Sequence, residues 1–227
     1  MESHSDHAAP GQEGTAMTNR HKRAVRAAFA LVGALAMSAC GSARYPAYYT
    51  LHLEPSTEAP ASERAIGTLA IKGLSCPDYL CEGRIVYRPT PAEVGFYQYH
   101  RWASSPRAMI AQYLAERVRV GSLFTSVSGD ESRMPTDFLL SGTLERLEEV
   151  DEARQVVALS TISAQLVDTR AGVVVWSGTA AERVPVQQRD MPGVVNGLGA
   201  AVRANVDRLV SDMELELGRG TASRDVP

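Results

Sequence analysis

Hydrophobic and polar positions follow two periods along this chain, and its second half shows the shorter one most clearly. Val156, Ala158, Ser160, Ile162, Ala164 and Leu166 recur every second residue, as a strand with one buried face requires. Phe138, Leu140, Gly142 and Leu144 alternate with polar residues upstream, and Val173-Val-Val-Trp-Ser-Gly178 returns downstream. The segment Asp137–Arg183 therefore predicts three long antiparallel strands. Asp168-Thr-Arg-Ala-Gly172 is a tight connection whose glycine is free to take positive φ. Glu148-Glu-Val-Asp-Glu-Ala153 reads as the link between the first two strands, too charged to be buried.

The longer period marks two helices. Met109, Ile110, Tyr113, Leu114 and Val118 repeat at three and four residues behind Ser105-Pro106. Serine suits the N-cap and proline the first helical position, and Gly121 reads as the stop. Val195, Leu198, Val202, Val206, Leu209, Met213 and Leu217 give a second apolar stripe over about Pro192–Leu217, with Gly218 as its stop and 218–227 as a disordered tail. Shorter strands are expected at 48–53, 67–72, 84–88, 96–99 and 123–127, the third stopped by Pro89 and Pro91. Both helices need a sheet face to cover. The order predicts an α+β two-layer sandwich: a mainly antiparallel or mixed sheet with two main helices, about 105–120 and 192–217, packed on it. No internal repeat is visible.

The N-terminal region has a different logic. Arg20, Lys22, Arg23 and Arg26 precede an apolar run, Ala27–Ala39, that ends in Ser38-Ala39-Cys40. A basic flank, a short apolar run and small residues describe an export signal. The run is too short for a spanning helix, which needs roughly 20 apolar residues. The cysteine turns the signal into a lipobox, although Met37 stands where leucine is usual. Residues 1–39 are thus read as a signal peptide, with Cys40 as the lipidated first residue of the mature chain. Residues 1–16 are a start extension, because Met17 opens a signal of ordinary length. Gly41 rather than aspartate after the cysteine favours the outer membrane. Residues 40–64 form a tether that includes the 48–53 strand, and 65–217 form a single periplasmic domain.

Charge and cysteines narrow the classes of function. The chain carries 23 basic and 26 acidic residues, a net charge of −3. From Cys40 onward the balance is also mildly negative, and with no basic run that part has no electrostatic footprint for nucleic acid. Cys76 and Cys81, in Cys-Pro-Asp-Tyr-Leu-Cys, are a disulfide pair candidate in an oxidising compartment. A zinc site is the weaker alternative, since no second cysteine or histidine pair stands at ligand spacing. A redox pair is weaker too, because the spacing is not Cys-x-x-Cys.

Several short motifs then fall in a telling order. Tyr48-Tyr-Thr-Leu51 follows Cys40; Pro77-Asp-Tyr-Leu80 precedes Arg84-Ile-Val-Tyr-Arg88; and Tyr99-His-Arg-Trp102 leads into the first helix. Leu123-Phe124 and Val127, then Leu166-Val-Asp168 and Gly172-Val-Val-Val-Trp176, complete the series. Over about residues 48–217 the chain resembles the ABC-type transport auxiliary lipoprotein family, the paraquat-inducible protein C-like lipoproteins. The resemblance implies a non-enzymatic accessory of a mammalian-cell-entry (MCE) domain lipid transporter. Its partners would be the MCE protein with the associated ABC permease and ATPase, and the outer membrane through the lipid. Ring-like homo-oligomers are also implied. Cysteines at 76 and 81 depart from the family's pattern.

No catalytic constellation is apparent: there is no Gly-x-Ser-x-Gly elbow, His-Glu-x-x-His pair or Walker loop. No cofactor is implied. His52 and His100 read as surface or interface residues, Asp168 as turn chemistry, and Trp102 and Trp176 as core packing or strand-end caps, with contact to acyl chains as the alternative. The richest polar-aromatic cluster is Tyr97, Tyr99, His100, Arg101 and Trp102, the candidate partner contact. The alternative to a transporter accessory is a stand-alone envelope lipoprotein that binds a small ligand or peptidoglycan, because an α+β design does not itself imply a function.

Overall fold

The computed structural model describes residues 44–54, 65–129, 135–152 and 155–222. The signal segment 1–39, Cys40, tether residues 41–43 and 55–64, and tail residues 223–227 lie outside the described residues. In chain order the elements are β1 (Ala47–Tyr49), β2 (Thr68–Ile71), α1 (Asp78–Cys81), β3 (Arg84–Thr90), β4 (Glu93–Trp102), α2 (Pro106–Gly121), β5 (Ser126–Gly129), β6 (Phe138–Glu152), β7 (Gln155–Asp168), β8 (Val173–Pro185) and α3 (Met191–Ala222).

All eight strands belong to one mixed sheet, and β6 is its spine. Along one edge β6 pairs in parallel with β2 over its first residues and with β3 near its end. Along the other edge β7 runs antiparallel for the whole length, and β8 pairs antiparallel with β7. Beyond β2 lies β5, beyond β3 lies β4, and beyond β4 lies β1. Helices α2 and α3 pack against each other and share one core with the sheet. The α+β sandwich read from the sequence pattern is the fold observed.

The period-two stripe of β7 explains the core. Val156, Ala158, Ser160, Ile162, Ala164 and Leu166 are all buried, and five of them meet α2 or α3 residues such as Ile110, Leu198 and Val206 in the central cluster. A Cβ placed on Gly197 would come within 2.9 Å of the Ala158 Cβ, so this glycine sets the closeness of α3 to β7. Asn205, in the same face, donates its amide to the Ser160 carbonyl at 2.9 Å. A buried carbonyl is thereby satisfied next to a register shift between Leu144 and Arg146.

Several boundaries differ from the sequence reading, each for a physical reason. Glu148–Glu152 is not a linker: β6 continues through it, and Glu148 is fully buried. Arg88 binds it with two hydrogen bonds, Nε to Oε1 and a terminal nitrogen to Oε2, each 3.0 Å, and Arg146 adds a third at 2.6 Å. Two guanidinium groups make burial of the carboxylate tolerable. Helix α2 passes through Gly121 and stops at Ser122, which takes the left-handed conformation with φ 55°. Gly121 serves space instead, because a side chain there would collide with the Glu214 carboxylate. Ser105 begins α2 through its carbonyl, accepting from Ala108 and Met109, and makes no side-chain cap. Helix α3 continues past Gly218 to Ala222. One interior glycine costs a helix only about 1 kcal/mol. The first strand is shorter than 48–53: after Tyr49 the chain runs on over the helices, with Leu51 buried and the His52 carbonyl accepting from Arg203. Leu123 and Phe124 enter the core ahead of β5.

Candidate functional site

The candidate contact cluster lies on β4, and a break in strand register shapes it. Arg84 of β3 faces Arg101 of β4, yet Val86 faces Phe96. Two steps on β3 therefore match five on β4, and the extra residues form a wide bulge over Tyr97–His100. Bulges re-aim side chains that regular pleating would send to opposite faces. Here Tyr97 and His100 end on one side, with ring centroids 5.7 Å apart and edge to face.

Both rings line a cavity of about 220 Å³ with Glu149, Val156, Arg189, Asp190, Met191 and Val194. The Tyr97 hydroxyl donates to Glu149 Oε2 at 2.6 Å. Burial, and next this bond, push the hydroxyl well above the ordinary tyrosine range, so it remains a donor. The Tyr87 ring packs beside Tyr97 at 4.9 Å and covers the bare backbone of Gly95. The Tyr49 hydroxyl stands 3.0 Å from His100 Nδ1, tying β1 to the same corner. Asp190 closes the cavity's floor by capping α3: its Oδ1 accepts from the Gly193 amide at 2.8 Å. The result is a small cleft with an aromatic wall, a fixed carboxylate and an imidazole, suited to hold a polar or aromatic side chain of a partner.

The structure divides the five sequence-identified residues. Tyr97 and His100 form the cleft, while Tyr99 and Arg101 point to solvent. Trp102 is 5 % exposed and belongs to the core, so it is not part of a contact surface. Glu149 and Asp190 complete the lining and Tyr49 braces His100 from behind, and none of the three was singled out by pattern. The Asp-Met-Pro-Gly run at 190–193 is a cap signal that could have located Asp190. Cys76 and Cys81 are joined across α1, with Cα atoms 6.1 Å apart. Asp168 accepts from the Arg170 and Ala171 amides, the turn role read from sequence, and Gly172 has φ 69°. His52 pairs with Glu54 at 3.2 Å on the surface. Trp176 is buried, and its indole donates to Asp212 at 3.2 Å.

The opposite sheet face is polar. Ser75, Thr143, Ser163 and Thr179 are successive cross-strand partners, and Ser141, Gln165 and Ser177 form the adjoining row. With Lys72 they line an open concavity of about 640 Å³. Its hydroxyls bond one another, as Ser75 and Thr143 do at 2.7 Å.

Comparison with known proteins places this architecture. The family model described as "ABC-type transport auxiliary lipoprotein component" matches residues 49–210. The crystal structure of protein XCC0632 from Xanthomonas campestris, of family DUF330, is similar with a TM-score of 0.70 and 18% identity, over 78% of this chain and 99% of that one. A second crystal structure, of an uncharacterized protein, is similar with a TM-score of 0.57 and 14% identity, over 74% of this chain and 99% of that one. At these identities the likeness shows a shared fold. No curated protein matches the sequence significantly. The family match runs from the end of β1 through most of α3, and the chain belongs to the ABC-type transport auxiliary lipoprotein component family.

Proposed function

We propose that this protein is a lipid-anchored, non-enzymatic accessory of an MCE/ABC-type intermembrane lipid transport system. Its lipid, on Cys40, holds it to the outer membrane facing the periplasm, and its folded body docks the transporter there. The observation that carries this reading is the family match beginning at residue 49, nine positions after a lipobox cysteine. The Cys76–Cys81 pair supports an oxidising compartment. The cleft at Tyr97 and His100 supports docking, because aromatic side chains around a fixed carboxylate favour recognition of a partner side chain.

Co-purification from detergent-solubilised membranes tests it. The lipidated protein should bring down an MCE-domain protein. The Tyr97→Phe/His100→Ala double variant should fold normally and recover about tenfold less, a loss of about 1.4 kcal/mol. Recovery of no MCE-domain protein with Cys40 fully lipidated overturns the proposed partner. Equal recovery by the double variant moves docking away from the cleft.

A further inference from the structure

The chain has eight tyrosines, all within the described residues, and only three of them are exposed: Tyr45 at 86 %, Tyr48 at 62 % and Tyr99 at 37 %. All three lie at one corner. Tyr48 sits on the edge strand β1 opposite Arg101 of β4. The next pair, Tyr49 and Trp102, turns into the core, so pleating sends Tyr48 and Arg101 outward. Tyr99 lies two residues before Arg101 on β4, and Tyr45 enters β1 from its N-terminal side. An exposed tyrosine joins an apolar ring to a polar hydroxyl, the combination that settles at the boundary between lipid and water. Arginine beside it offers a fork of donors to a phosphate.

The covalent chain indicates the occupant. Cys40 precedes Tyr45 by five residues, which span at most about 18 Å when fully extended. A bilayer holding Cys40 is therefore within reach of this corner wherever the rest of the body points. We propose that Tyr45, Tyr48, Tyr99 and Arg101 form a membrane-seating surface that rests on phospholipid headgroups and fixes the orientation of the body. The proposal rests on lipidation of Cys40. The acyl chains supply the affinity, and the tyrosines supply the orientation.

A tryptophan reporter tests it. Lipoprotein carrying Tyr48→Trp is reconstituted into phosphatidylethanolamine and phosphatidylglycerol vesicles with brominated acyl chains. Val174→Trp is the control: Val174 is 55 % exposed at the start of β8, on the far side of β6 and toward its opposite end. The native Trp102 and Trp176, 5 % and 6 % exposed, give a common buried background. Bromine should quench the Tyr48→Trp reporter at least about twofold more than the control, as expected of a side chain at the lipid interface. Equal quenching in protein that floats with the vesicles overturns the surface and leaves the anchor standing. Emission that is blue-shifted in micelles and vesicles alike, yet indifferent to bromine, marks a protein contact and also overturns it. Protein that fails to float, with an unmodified Cys40 by mass, overturns the anchor and this surface with it.

Discussion

Removing the Arg88 guanidinium should unseat the most deeply buried charge among the described residues, Glu148. In Arg88→Met, Glu148 keeps only Arg146, and a buried charge stripped of one partner costs about 3–5 kcal/mol. Urea unfolding should show that loss, and Arg88→Met/Glu148→Leu should regain much of it. Glu214 gives the converse case. Burial raises its pKa above the ordinary 4.5, and nearby Arg117 lowers it by less. The folded state therefore prefers the protonated form. That stabilisation is complete below pH 4.5 and is lost as pH rises through the raised value. Glu214→Gln should compare least favourably with the parent at pH 4 and gain on it at pH 7, measured by urea midpoints at both values. Neither residue was legible in the sequence. Glu148 stands in an acidic run whose neighbours suggest solvent, and its partner Arg88 lies sixty positions away. Local pattern carries no information about a pair that only the β3–β6 ladder creates.

Two glycines of α3 separate packing from propensity. Gly197→Ala presses a methyl toward Ala158 and should destabilise by about 1–3 kcal/mol. Gly218→Ala has open space around it and should stabilise the helix by about 1 kcal/mol. Thermal melts by circular dichroism should move in opposite directions. The elements most legible in sequence were those with one buried face and a sustained period: β6, β7, β8 and both long helices. Pattern could not locate the bulge of β4, because three extra residues leave a strand's composition unchanged while redirecting Tyr97 and His100. It placed the end of α2 within one residue but not its cause: a serine takes the left-handed turn, and the preceding glycine makes room for Glu214. The cleft was half legible for the same reason. Its aromatic wall is contiguous in sequence, whereas Glu149 and Asp190 arrive from β6 and the start of α3.

At the scale of the molecule, anchor and body should be separable. On the proposed reading, Cys40→Ser should yield protein with unchanged far-ultraviolet dichroism and melting behaviour that no longer sediments with membranes and no longer brings down the proposed MCE-domain partner. Thiol labelling of mature protein, denatured without reductant, should find Cys76 and Cys81 blocked; two free thiols would remove the bridge from the account.

The path of the chain into the body also has a mechanical meaning. β1 is only three residues long and pairs in parallel with β4, so a pull along the strand axis acts across its hydrogen bonds and loads them in shear. Beyond β1, Leu51 is wedged into the core and Arg203 grips the His52 carbonyl, forming a second stop behind the first. The Tyr49 hydroxyl bridges this loaded strand to His100 in the wall of the cleft. On the proposed reading, traction between the membrane and a partner seated in the cleft enters the body through β1 and the Leu51 and His52 contacts behind it. Pulling the protein by residue 40 in an optical trap should release β1 first, as a short extension well before the main body opens.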